Sequence, residues 1–167
     1  MVNQPAAILP EEQRVWDALE AVKDPEIPVL SLVDLGVITK VHVHENKVEV
    51  NMTPTFSGCP AMDAMKNMVL IKLNELGFDS PVVNITFDRP WHSNLISEKG
   101  KVALKKFGLA PPPVTHGLVD LDILEHVVCP YCDSDNTEMK SPFGPTLCRS
   151  LHYCDNCRQA FEQFKPL

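Results

Sequence analysis

Thr53-Pro54-Thr55-Phe56-Ser57-Gly58-Cys59-Pro60 joins the end of one expected strand to the start of an expected helix, and the first hundred residues are organised around it. Upstream, Val48, Val50 and Met52 alternate as in a strand with one buried face. Downstream, Met62, Met65, Val69, Leu73 and Leu76 recur at helical spacing until Gly77. The loop therefore brings Cys59 to a helix N-terminus, where orphan backbone N–H groups and the positive end of the dipole favour a thiolate. Gly58 permits close backbone approach, and Pro60 suits the first helical position. Cys59 is the candidate for chemistry; the competing reading is a small buried hydrophobe at a helix start.

Working outward, Val37, Val41 and Val43 mark a strand reaching about His44, and Glu45-Asn46 turns it back into the Val48 strand as a hairpin. Before it, Pro10 opens a helix with Glu11 and Glu12 in its first turn and Val15, Leu19 and Val22 on one face. That helix must end before Asp24-Pro25-Glu26-Ile27-Pro28, because two prolines forbid its continuation. Residues 31–35 fit one helical turn closed by Gly36. A third strand is expected over 81–87. A third helix follows over 97–107, with Ser97 as N-cap, Lys105 and Lys106 in the last turn, and Gly108 as its stop. The order α-β-β-α-β-α describes an α+β sandwich of helices on one sheet, spanning residues 10–108 behind a flexible lead-in at 1–9.

Leu109-Ala110-Pro111-Pro112-Pro113 then reads as a stiff linker, over 109–118, to a smaller unit at 119–167. There Cys129-Pro130-Tyr131-Cys132 and Cys154-Asp155-Asn156-Cys157 form two C-x-x-C pairs 21 residues apart, slightly beyond the usual spacing of about 15–20. Two such turns supply the tetrahedral four-sulfur shell that zinc accepts. A unit this small struggles to fold on its core alone. One structural zinc per chain, worth on the order of 10 kcal/mol of folding free energy, is therefore expected on Cys129, Cys132, Cys154 and Cys157. A closed four-ligand shell leaves no position for substrate, so this zinc is not catalytic. The same ligands also suit an iron site or a cluster. Cys148 is left over, as a core residue of the ribbon or a fifth thiol that exchanges into a cluster. His116, His126 and His152 lie close to the ribbon in sequence and read as surface or outer-sphere residues.

Composition excludes several classes of function. The net charge of −7 is spread over both halves: residues 1–110 carry 11 basic and 14 acidic side chains, and residues 111–167 carry 4 and 8, so neither suits nucleic-acid binding. No apolar run reaches membrane-spanning length, and Met1-Val2-Asn3-Gln4-Pro5 lacks the character of a signal peptide, so a cytoplasmic location and six reduced cysteines are expected. A dinucleotide glycine fingerprint and paired Glu-x-x-His motifs are both missing, and no histidine is tied to Cys59 by a nucleophile motif.

Read together, Asp24-Pro25-Glu26-Ile27-Pro28, Ser31-Leu32-Val33-Asp34-Leu35-Gly36-Val37-Ile38, Thr53-Pro54-Thr55, Ser57-Gly58-Cys59-Pro60, Pro90-Trp91, Ile96-Ser97 and Gly108-Leu109-Ala110-Pro111-Pro112, followed by the four ribbon cysteines, resemble the PaaD family. These are small subunits encoded with bacterial phenylacetyl-CoA epoxidase, and the domain over 10–108 looks like the wider one shared with SufT and the eukaryotic cytosolic iron-sulfur assembly factors. The resemblance implies an accessory or maturation role in phenylacetate degradation rather than substrate turnover. It implies help with iron-sulfur or di-iron centre assembly in the oxygenase or reductase subunits, with a transient iron or iron-sulfur cluster as cargo. It places the family's cysteine at Cys59 and its acidic loop at Asp24 and Glu26. Those carboxylates either support a metal at Cys59 or simply cap a turn after the first helix. Thr53 and Thr55 are candidates to hydrogen-bond the thiolate. Trp91 reads as a core residue or an interface anchor and His92 as a solvated loop residue. One cysteine is too few for a cluster, so a site built on Cys59 borrows ligands from a second copy, a client or a small thiol, which points to a homodimer or a complex. The competing function is a structural adaptor that holds the oxygenase components together, with Cys59 inert.

Overall fold

A computed structural model describes residues 10–56, 58–115 and 127–166. The flexible lead-in at 1–9, Ser57, both His116 and His126, and the 116–126 portion of linker and ribbon lie outside the described residues.

The hairpin expected around Glu45-Asn46 forms from β1 (Ile38–His44) and β2 (Lys47–Met52), paired antiparallel with Val43 opposite Val48. Glu45 takes a positive φ of 54° at the tip. β3 (Val82–Ile85) joins the other edge of β2 in parallel, giving the order β1-β2-β3. A parallel neighbour cannot be reached by a tight turn, and α2 (Met62–Glu75) makes that crossover. The alternating strand residues Val41, Val43, Val48 and Val50 face α1 (Pro10–Leu19) and α2 through Val15, Leu19, Met65, Val69 and Leu73, all buried. α1 ends at Leu19, one turn short of the prolines, because Ala21 and Val22 close a tighter turn onto Ala18 and Leu19. α3 (Glu98–Phe107) begins as expected: the Ser97 hydroxyl accepts from Gly100 N–H, and Gly108 ends the helix at φ 90°.

Residues 31–35 do form a helical turn, with Leu35 N–H donating to the Ser31 carbonyl. Gly36 closes it at φ +74°, and a Cβ there would sit 2.7 Å from both Cβ and the carbonyl oxygen of Leu95. Glycine is needed at this position for its conformation and for space.

Leu109–Ala110, read from sequence as the start of the linker, instead form β4 and pair in parallel with β7 (Ala160–Phe164). β5 (Thr137–Ser141) and β6 (Arg149–Cys154) complete a second sheet in the order β4-β7-β6-β5. The apolar pair ahead of the prolines thus serves as an edge strand, and the prolines begin only where that pairing stops. The second sheet is docked firmly on the first unit. Phe164 at the end of β7 is 1% exposed inside the first unit's core, its ring 5.7 Å from that of Trp91. Arg149 at the start of β6 donates from Nη1 to Glu162 Oε2 at 2.9 Å and from Nη2 to the Glu26 carbonyl at 3.1 Å. Lys105 of α3 is ion-paired with Asp133 in the first cysteine turn.

Arg149→Ala removes the charged donor that ties the sheet of β4–β7 to the 24–28 loop and leaves Glu162 unpaired. We expect a loss of about 2 kcal/mol in chemical denaturation, against no more than about 1 kcal/mol for the exposed Lys105→Ala. Equal, small effects from the two would show that Arg149 does not anchor the ribbon.

Candidate functional site

The loop after β2 is pinned at its base by Thr53, whose N–H donates to the Val37 carbonyl and whose hydroxyl donates to Arg89 O at 3.1 Å. Thr53 therefore satisfies backbone and has no bond to spare for a thiolate. The chain then makes two linked turns, Cys59 N–H to the Phe56 carbonyl at 3.0 Å and Met62 N–H to the Cys59 carbonyl at 3.3 Å. α2 starts only at Met62, with Ala61 as N-cap, so Cys59 and Pro60 precede the helix rather than open it. This corrects the electrostatic expectation. The Ala61 N–H does donate to the Cys59 sulfur, which lowers its pKa, but burial is the largest influence and raises it. Cys148, Asp24 and Glu26 raise it further by their charges, so Cys59 is a half-buried thiol shifted above its ordinary value.

Cys59 lines a cavity of about 260 Å³ whose walls come from both units. Glu26, Thr55 and Phe56 border it from the first unit, and the segment 144–148, ending in Cys148, closes it from the second. Glu26 of the acidic loop is exposed and faces this space. Asp24 is not among the lining residues: its Oδ1 accepts from the backbone N–H groups of Glu26 and Ile27 at 2.8 and 2.9 Å. Asp24 shapes the turn that presents Glu26. Trp91 is a core residue, 7% exposed, with Nε1 donating to the Leu35 carbonyl at 2.9 Å, and His92 is exposed.

Cys148 is not a core residue of the ribbon. It packs with Cys59 against the first unit's core, whereas the ribbon core comprises Ala110, Val127, Cys129, Cys154 and Phe161. Its sequence signal was subtraction: four thiols complete the ribbon site, so the fifth was free for another role.

The ribbon cysteines come together on two turns of the same design. Asp133 N–H donates to the Cys129 carbonyl and Arg158 N–H to the Cys154 carbonyl, and both Asp133 and Arg158 take a φ of 59°. All four sulfurs lie within 4.8 Å of one another, with Cys129–Cys157 and Cys132–Cys154 each at 3.6 Å. A zinc tetrahedron with bonds of about 2.3 Å has edges of about 3.8 Å, so the donor set fits the ion in size as well as in chemistry. Asn156 Nδ2 approaches Cys132 Sγ at 3.5 Å and, with the Ser134 N–H, draws that thiol down to about 6. Burial, then the neighbouring sulfurs, push Cys157 up to about 12. Four thiolates cannot coexist there without a cation, so filling the cage expels protons and weakens as pH falls.

Fold and cysteine geometry together define an α+β domain that carries a four-cysteine, metal-binding β-ribbon. Residues 12–79 match the family described as iron-sulfur cluster assembly protein, and residues 118–165 match the PaaD zinc beta ribbon domain. A protein of Escherichia coli (strain K12), named for its place among the 1,2-phenylacetyl-CoA epoxidase subunits, is 33% identical over 93% of both chains. The chain belongs to the PaaD family. An Fe-S protein maturation auxiliary factor of Porphyromonas gingivalis is 35% identical over 58% of this chain and 92% of its own. A crystal structure of a domain of unknown function, DUF59, from Bacillus anthracis superposes with a TM-score of 0.52 at 32% identity, covering 56% of this chain and 90% of that one. Among the described residues, no helix is long and apolar enough to cross a membrane.

Proposed function

We propose that this protein is a maturation subunit of a phenylacetyl-CoA epoxidase system in the cytoplasm, assisting assembly of an iron-sulfur or di-iron centre in the oxygenase or reductase. Cys59 receives and hands on the iron or cluster, Glu26 supports it, and Asp24 holds the loop that carries Glu26. The observation that carries this reading is the cavity that Cys59 shares with Glu26, on a domain matched by the iron-sulfur assembly family. A half-buried thiol kept protonated until a metal arrives suits a transfer residue, since it resists idle oxidation and becomes a ligand by losing its proton to solvent. One zinc on Cys129, Cys132, Cys154 and Cys157 is structural, because four sulfurs close its shell.

The raised thiol also favours a second reading, a structural adaptor that bridges epoxidase components with Cys59 inert. The two differ on Cys59→Ser. In cells expressing that variant, the client that depends on this chain is expected to purify with most of its iron and acid-labile sulfide missing, while the variant itself keeps its zinc. Client metal that survives Cys59→Ser and falls only on deletion of the whole chain sinks the transfer role and leaves the adaptor.

A further inference from the structure

Behind the 260 Å³ cavity, one residue is bonded to both of its walls. Arg149, 8% exposed, donates from Nη2 at 3.1 Å to the carbonyl of Glu26, on the wall that belongs to the first unit. Its backbone holds the other wall: Arg149 N–H donates to the Thr146 carbonyl at 3.1 Å, and the Arg149 carbonyl accepts from Gly144 N–H at 2.9 Å. A Cβ at Gly144 would lie only 3.1 Å from that of Arg149, so the 144–148 segment is folded closely over this residue. The guanidinium is fixed by its second bond, from Nη1 to Glu162 Oε2 on β7. Arg149 also opens β6, the strand that ends in the ligand Cys154. The cysteine cage and the cavity wall are thus attached to opposite ends of one strand.

We propose that the ribbon is a metal-dependent cover for Cys59, and that Arg149 is the positioning residue that closes it. With the cage filled, Cys154 is fixed and β6 is held in register against β7, from Arg149 opposite Phe164 to Tyr153 opposite Ala160. Arg149 then stays bonded to both walls, and Cys59 sits half-buried behind Pro145, Leu147 and Cys148. With the cage empty, β6 loses its fixed end, the Arg149 side chain leaves the Glu26 carbonyl, and the wall opens as a local unit. The first unit holds its shape through that opening, because Val15, Leu19, Val50, Met65 and Leu73 pack within it. The thiol is therefore open to any reagent in a metal-free chain. In a metal-filled chain it is open only to a partner that displaces the wall. The coupling is a property of the fold, and what the cover protects in the cell rests on the transfer role of Cys59.

The readout is the rate at which iodoacetamide alkylates Cys59 in the full chain, resolved peptide by peptide by mass spectrometry, with amide hydrogen exchange in α2 followed alongside. In the zinc-loaded wild type that rate is expected to be slow. Emptying the cage with a chelator should raise it about tenfold or more while α2 stays protected, and zinc should restore the slow rate. Arg149→Ala with its zinc content intact should show most of the same rise. Arg149→Lys, which keeps a charge for Glu162 but not the second bond, should fall between. Lys105→Ala cuts another tie between the same two units, and neither Lys105 nor its partner Asp133 lines the cavity, so Cys59 should stay as slow as in the wild type. A merely structural role for Arg149 would move the Arg149 and Lys105 variants together. An unchanged Cys59 rate in the emptied wild type overturns the cover. So does a rise that comes with loss of α2 protection, since unfolding then exposes the thiol. A wild-type rate in zinc-loaded Arg149→Ala removes Arg149 from the device. Should that variant fail to hold zinc, the emptied wild type decides on the cover and Arg149→Lys on the residue. The client assay is independent: normal client metal under Cys59→Ser, beside zinc-dependent alkylation of the wild type, removes the transfer role but leaves the cover.

Discussion

Removing the metal from the full chain with a strong chelator at neutral pH is expected to unfold the β5–β7 sheet and shift the emission of Trp91 to the red, both reversed by zinc. The buried ribbon core is small: Val127, Ala110 and Phe161 beside two of the ligand cysteines. A core this small does not hold a segment of this size by itself, and metal binding, worth on the order of 10 kcal/mol, is the largest single stabilising contribution it can draw on. The effect reaches the first unit because Phe164, Leu109 and Cys148 are all seated against its core, so a loosened ribbon exposes Trp91. The measurement is far-ultraviolet circular dichroism with fluorescence in a Trp16→Phe background, so that only Trp91 reports. Cys154→Ser should behave as permanently metal-free, since Cys154 is fully buried and its loss leaves three sulfurs. Native Trp91 emission after complete zinc removal would mean that the ribbon holds by packing alone, and the structural role of the metal would fail.

The first unit was legible in the sequence because each of its elements carries a local signal. Valine alternation set β1 and β2, methionine and leucine spacing set α2, and Ser97 with Gly108 bounded α3 to within a residue. Two features were not legible, each for a physical reason. Leu109–Ala110 has no strand signature in two residues; it is a strand because Glu162 and Gln163, more than fifty positions later, are there to pair with it. The environment of Cys59 depends on where α2 begins, and helix starts are set by backbone turns that composition does not resolve. Once Cys59 lies ahead of the helix, the local dipole argument gives way to burial, and burial depends on tertiary packing against the first unit's core that no local pattern encodes. The four ribbon cysteines show the opposite case, since C-x-x-C spacing encodes its own turn and both turns appear as read.

Asp34→Ala is expected to cost about 3 kcal/mol, far more than substituting Glu26 in the cavity. Asp34 is 6% exposed and ties its own turn, residues 31–35, to the start of α3. It accepts from the Ser31 hydroxyl at 2.8 Å and the Ser97 hydroxyl at 2.6 Å, while its carbonyl accepts from Ser97 N–H at 2.8 Å. Lys99 Nζ lies 3.3 Å from Asp34 Oδ2, an exposed partner that adds little. Removing the carboxylate leaves two hydroxyls short of an acceptor in or near the interior, at about 1–3 kcal/mol for each buried group. Burial raises the Asp34 pKa, but the hydrogen bonds from Ser97, Ser31 and Lys99 outweigh it and hold the folded-state value below the ordinary one. The sign follows from linkage. A depressed carboxyl contributes stability above its unfolded pKa and loses it as pH falls through the folded value. The stability gap between wild type and Asp34→Asn should therefore be constant near neutral pH and shrink in acid below about 4, as read by urea denaturation across pH. A gap that widens in acid would show Asp34 to be protonated in the fold and the carboxylate clamp to be wrong. The consequence reaches the site through the backbone, because Ser31 adjoins Leu30, whose carbonyl accepts from Asp24 N–H at 2.9 Å. Asp34 thus acts on the Asp24–Glu26 loop through its hold on Ser31, without lining the cavity itself. Asp34→Asn should destabilise the fold more than Glu26→Gln does, as read by urea denaturation at neutral pH.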